Sequence, residues 1–129
     1  MTVAFDAGVV ICAAVADQRG AILLDAIDAS SPDVPVGIGS TLLFTEALTV
    51  ADDRRDERLR MIAILGRLAL LPVTQDVAVV AAALKLRHRL KTPDALHLAT
   101  AITAGADQFV TINRRDFGSR ITEIDIIHP

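Results

Sequence analysis

The chain has 129 residues, 52% hydrophobic and 22% charged, with a mean hydropathy of +0.46 and a formal net charge of -3. That length fits one domain spanning residues 1–129 with a well-buried core, and the composition excludes an intrinsically disordered chain. Acidic balance, a single cysteine (Cys12) and the lack of Trp and Tyr exclude an internal disulfide, global attraction to nucleic acid and base-stacking platforms, so nucleic-acid binding would rest on local basic patches and metal ions.

The opening MTVAFDAG has no basic stretch ahead of an apolar one, and the apolar run Val77 to Leu84 is far short of the roughly 20 residues a membrane-spanning helix needs. A soluble, unsecreted, cytoplasmic protein with no membrane contact is expected. Val3 to Phe5 reads as a first strand, followed by helices from about Val9 to Ala16 and from Ala21 to Ala29. Ala29 to Pro35, with two prolines and two serines, is a loop before a second strand, Val36 to Ile38. Ser40 signals the start of a helix over TLLFTEAL, and a further helix is predicted from Arg54 to Leu68. Leu70 to Val73 is the third strand, and Thr74 caps the helix QDVAVVAAALKL. Thr92, with Pro93 at the first helical position, opens a helix that Gly105 closes. Phe109 to Ile112 is the fourth strand. In the fifth, Ile121 to Ile127, residues Ile121, Glu123, Asp125 and Ile127 alternate with Thr122, Ile124 and Ile126, a pattern suited to a sheet edge. Strands separated by helix-length segments require crossovers, which predicts an α/β domain: a five-stranded, mainly parallel sheet flanked by helices on both faces.

Most of the 16 acidic residues fall where solvent is expected, and four do not. Asp6 ends the first strand, where α/β sheets build their sites, and is equally suited to cap the next helix. Glu46 has Leu42, Leu43 and Val50 three or four residues away, which places it on the apolar face of its helix; an ionised group there needs a basic partner, a proton or a metal. Asp94, second in its helix, shares a stripe with His97, Leu98 and Ala101, and its place in the first turn also suits the helix dipole. Asp116 follows the fourth strand in Asn113-Arg114-Arg115-Asp116-Phe117, where an acid also serves as a turn residue.

In a parallel sheet these four positions converge at one edge. Carboxylates gathered there without cations repel one another, so the pattern points to a hard divalent cation, Mg2+ or Mn2+. Three scattered histidines and one cysteine offer no zinc spacing. Arg114, Arg115 and Arg120, beside Asp116, are the candidate substrate-binding cations. Lys85, Arg87, Arg89 and Lys91, with His88, form a second basic group that reads equally as an ordinary solvated helix end. His97 has no evident partner in the sequence and reads as a structural histidine.

FDAGVVI at Phe5 to Ile11, STLLFTEAL at Ser40 to Leu48, TPDALHLATA at Thr92 to Ala101 and FVTINRRDF at Phe109 to Phe117 cover the landmarks of essentially the whole chain. In these segments the chain resembles the PIN-domain ribonucleases, and within them the VapC-type toxins of toxin–antitoxin pairs. The resemblance implies Mg2+- or Mn2+-dependent hydrolysis of RNA phosphodiester bonds, leaving 5′-phosphate and 3′-hydroxyl ends. It implies that Asp6, Glu46, Asp94 and Asp116 are the catalytic, metal-site acids and that Thr111 lines the site. Glu46 stays open between two roles: a ligand, directly or through water, and the base that orients the attacking water. A homodimer and a small antitoxin whose tail enters the acidic groove are implied as well. Asn113 stands where many members carry a further Asp; it can hydrogen-bond but brings no charge, which weakens the case for a second tightly held metal.

Two other α/β enzymes fail on residues. A phosphoacceptor receiver needs a neighbouring acidic pair after its first strand, where Asp6 is followed by Ala7 and Gly8. A haloacid-dehalogenase-like phosphatase needs a second Asp where Gly8 stands. From a different class, the alternative is a catalytically silent PIN-like module that binds RNA or protein.

Overall fold

Five short strands, β1 (Val3–Phe5), β2 (Gly37–Ser40), β3 (Leu68–Leu71), β4 (Gln108–Val110) and β5 (Asp125–Ile127), pair in the order β3-β2-β1-β4-β5 in a computed structural model that describes residues 1–129. Every pairing is parallel. The connections run through six helices: α1 (Ala7–Ala14), α2 (Ala21–Asp28), α3 (Leu42–Ala51), α4 (Arg55–Leu65), α5 (Gln75–His88) and α6 (Thr92–Thr103). None is long and apolar enough to cross a membrane by itself.

The strand order places the site. The chain leaves β1 to one side through β2 and β3, then returns to the other side of β1 as β4. The carboxyl ends of β1 and β4 therefore flank a switch point, where neighbouring connections diverge and open a crevice. In register, Ala4 sits beside Phe109 and Phe5 beside Val110. Successive strand residues point to opposite faces. Accordingly, Phe5 and Val110 join one core with Val9, Val10, Leu23, Leu43, Met61 and Leu65. Ala4 and Phe109 join a second with Leu84, Leu98, Phe117, Ile121 and Ile124. These strands are apolar on both faces because both are covered.

Local signals set most element ends. Thr74 accepts from the Val77 amide at 3.2 Å and caps α5. Gly105, at φ +75, closes α6 with its amide on the Ile102 carbonyl, while the Ala106 amide reaches Ala101. Ser40 is the last residue of β2 rather than the cap residue, yet its hydroxyl accepts from the Leu42 amide at 3.1 Å and so does part of the capping. α6 begins at Thr92 itself, with Pro93 in its first turn, and Asp94 is its third residue rather than its second. α1 starts two residues earlier than its apolar pattern suggested because Asp6 caps it, and α4 stops at Leu65 rather than Leu68, leaving Leu68 to begin β3.

The fifth strand is the largest departure: it covers only Asp125–Ile127 of the expected Ile121 to Ile127. Ile121 and Ile124, three apart, are buried in the same core, which a strand of period two cannot do. The apparent alternation came from a loop whose isoleucines dip inward. After α1, a Cβ on Gly20 would stand 2.1 Å from the Ala13 amide nitrogen and 2.5 Å from its Cα. Only glycine lets the Gln18–Gly20 turn lie against the α1 backbone.

Candidate active site

Asp6 is 6% exposed and held from three sides at the top of β1. Its backbone amide donates to the Val110 carbonyl at 3.0 Å, one carboxylate oxygen accepts from the Ala7 amide at 2.9 Å, and the other accepts from the Thr111 hydroxyl at 2.8 Å. The capping and site readings of Asp6 thus coexist, because a carboxylate has lone pairs for both. Thr111 is fully buried just past β4, and its hydroxyl oxygen accepts in turn from the Asn113 amide at 3.1 Å.

Asn113 organises the turn that carries Asp116. Its side-chain amide donates to Asp116 Oδ2 at 3.0 Å, and its side-chain oxygen accepts from the Asp116 amide at 3.1 Å. A continuous line of hydrogen bonds therefore runs from Asp6 through Thr111 and Asn113 to Asp116. An aspartate at position 113 would not make the first of these bonds.

Asp94 enters from the first turn of α6. Its carboxyl makes no ion pair, and its pKa is pushed up to about 6, first by burial and then by the negative charges of Asp6 and Asp116; Glu46 adds to the rise and His97 opposes it. The charges of all four acids act on one place. Glu46 reaches it from α3, whose buried stripe is Leu43, Ala47 and Ala51, with Val50 exposed. Glu46 is therefore at the edge of the apolar face rather than on it, and its side chain remains 33% exposed.

The partner Glu46 required is His97, whose Nε2 donates to Oε1 at 3.0 Å. The imidazole is buried and its Nδ1 has no partner. His97, which the sequence reads as a structural histidine, is thus a neighbour of the site: its place one turn after Asp94 is visible in the sequence, but its partner, on another helix, is not.

No arginine or lysine neutralises Asp6, Glu46, Asp94 or Asp116. Arg114, Arg115 and Arg120 are exposed around Asp116, and Arg114 reaches the His128 carbonyl at 3.4 Å. In the other basic group Lys85, Arg87, Arg89 and Lys91 are exposed; Lys85 donates to the Thr92 hydroxyl at 2.7 Å, while Arg87 and the buried His88 hold Glu123. Burial acts to raise the Glu123 pKa, but hydrogen bonds from His88 and the Thr122 amide outweigh it and leave that carboxyl below its usual range.

The donor set suits a hard cation, since it is all oxygen and anionic, with no arginine or lysine paired to it. No three Asp, Glu, His or Cys side chains close into a ready cage.

Residues 3–120 match the PIN domain family. A chain from a toxin–antitoxin complex of Klebsiella pneumoniae is similar at 26% identity, with a TM-score of 0.76 over 100% of this chain and 98% of that one. The crystal structure of VapBC2 from Rickettsia felis, bound to a DNA fragment from their promoter, is similar in fold, with 14% identity and a TM-score of 0.77 over 100% of this chain and 99% of that one. No curated protein matches the chain.

Proposed function

Because the chain belongs to the PIN domain family, we propose that it is a Mg2+- or Mn2+-dependent ribonuclease that hydrolyses RNA phosphodiester bonds at Asp6, Glu46, Asp94 and Asp116. The observation that carries the reading is Asp94: a desolvated carboxyl facing three other acids with no basic side chain paired to any aspartate of the group. Such an arrangement is costly alone and becomes favourable with a divalent cation.

Asp6, Asp94 and Asp116 would hold the ion, which supplies the charge that makes a hydroxide available near neutral pH and steadies the phosphate. Thr111 and Asn113 orient Asp6 and Asp116 through the hydrogen bonds that fix their oxygens. Glu46, held by His97 and part-exposed, is placed to orient the attacking water and accept its proton. Arg114, Arg115 and Arg120 draw the anionic substrate toward an otherwise acidic crevice.

We further read the chain as the toxin of a type II toxin–antitoxin pair, restrained by a small antitoxin and acting as a homodimer. The likeness to a chain of the Klebsiella pneumoniae toxin–antitoxin complex supports the toxin–antitoxin part of this reading. A catalytically silent binding module is the competing reading, favoured by the open arrangement of the acids and the uncharged Asn113.

Cleavage of mixed cellular RNA with added Mg2+ or Mn2+, by protein freed of any copurified inhibitor, separates the two. Metal-dependent cleavage that disappears in Asp6→Asn and Asp94→Asn is expected. Cleavage unchanged in those variants, or independent of metal, overturns the site. A well-folded wild type that cleaves nothing favours the silent module.

A further inference from the structure

His128, just beyond β5, serves no role described above. Its Nδ1 stands 3.0 Å from the Thr111 carbonyl oxygen and its Nε2 stands 2.9 Å from that of Phe117. Those two carbonyls lie at the two ends of the turn that carries Asn113 and Asp116. A carbonyl oxygen only accepts, so each contact needs an N–H on the ring. A neutral imidazole has one such donor and the imidazolium has two.

We propose that His128, as an imidazolium, is a positioning residue that clamps both ends of the Asp116 turn onto the sheet edge. The bonds between Asn113 and Asp116 are internal to the turn and give it shape without fixing it to anything else. At its start the turn is tied to β5 by the Thr111 amide on the Ile127 carbonyl, at 3.0 Å. At its end the Phe117 ring packs on Phe109, with centroids 5.1 Å apart, but the backbone there is tied across to the β5 end by His128. Among charged groups near His128, the turn brings Arg114, whose guanidinium donates to the His128 carbonyl; β5 brings Asp125, on the same surface hollow; and β4 carries none. Loss of the ring proton removes one of the two bonds and frees one end of the turn.

The inference rests on reading Asp116 as a metal-site acid, and the test separates the two claims. Nitrogen-15 signals of the His128 ring, exchange of the Asn113, Asp116 and Phe117 amides, and Mn2+ binding are measured for wild type, His128→Gln and His128→Ala. In the wild type both ring nitrogens are expected to carry protons and the three amides to be protected, with protection lower wherever the ring signals are those of the neutral imidazole. His128→Ala should exchange those amides about tenfold faster than wild type, with His128→Gln between them. Mn2+ binding should weaken about tenfold in His128→Ala. A neutral ring beside protected amides overturns the clamp, as does wild-type exchange in both folded variants. The wild-type titration decides the matter if the variants do not fold. Wild-type protein that binds no Mn2+ overturns the proposed function instead, and the clamp then stands or falls on the amides.

Discussion

Glu46 and His97, 51 positions apart, meet at 3.0 Å and join α3 to α6 at the edge of the acidic crevice. The imidazole is buried with Nδ1 unpaired, so it carries an unmet hydrogen-bonding group in exchange for holding one carboxylate. Replacing it with an apolar ring of similar size removes both features. His97→Phe is expected to stay within about 1 kcal/mol of wild type in stability, because the lost bond and the relieved nitrogen offset each other. RNA cleavage should nevertheless fall about a hundredfold as Glu46 loses its orientation. Urea unfolding and cleavage measured on one preparation check this; unchanged cleavage refutes the role given to Glu46.

Asp94 makes the metal-free protein sensitive to pH. Its carboxyl titrates at about 6 in the fold against 3.8 ordinarily. Between those values the folded state holds a proton that the unfolded chain has released, so stability declines as pH rises through that window and levels off above it. Asp94→Asn should abolish the decline and stabilise the metal-free protein at neutral pH by about 1–2 kcal/mol, a figure reduced for solvent screening of a part-exposed group. Divalent ions should reverse the ranking: Mn2+ raises the wild-type melting temperature and chelation lowers it, whereas Asp94→Asn responds to neither. Unfolding scans across pH, with and without Mn2+, read both effects.

Asn113→Asp exchanges a donor on Asp116 for a like charge. The metal-free protein should lose about 1 kcal/mol. Mn2+ binding should tighten, with a second ion per chain, because hard cations are held by carboxylate count. Calorimetric titration gives the stoichiometry, and one weaker site would contradict the expectation.

The end of α1 offers two opposed substitutions. Ala16 is exposed at φ +57, with its amide on the Ala13 carbonyl and the Asp17 amide on Cys12, a helix ending that favours glycine. Ala16→Gly should stabilise the protein by about 1 kcal/mol. Gly20→Ala, which drives a methyl into the Ala13 backbone, should cost about 3 kcal/mol. Both appear as shifts of the urea midpoint at unchanged slope.

The residues most legible from sequence were those whose environment is local. Asp6, Asp94 and Asp116 follow strands or open a helix, so the parallel topology brings the charges of Asp6 and Asp116 to bear on Asp94, and Thr74 and Gly105 mark helix ends through their own chemistry. Glu46 was located on its helix correctly but its face was misjudged, because Val50 looked like core and is exposed. Ile121 and Ile124 imitated a strand because hydrophobicity reports burial, not backbone conformation. His97 and His128 escaped for a different reason: their partners lie 51 and as many as 17 residues away, and those of His128 are backbone carbonyls that carry no mark of residue type.

The bond from the Thr111 hydroxyl to Asp6 spans 105 residues, and it governs when the molecule becomes chemically competent during synthesis. A ribosome that has delivered β1, β2 and β3 has released Asp6 and Glu46 but neither Asp94 nor the segment that completes the crevice. Long-range closure of this kind is slow compared with helix formation. If the proposed nuclease reading holds, a nascent chain cannot act until the segment carrying Thr111 and Asp116 has emerged and docked beside the first strand.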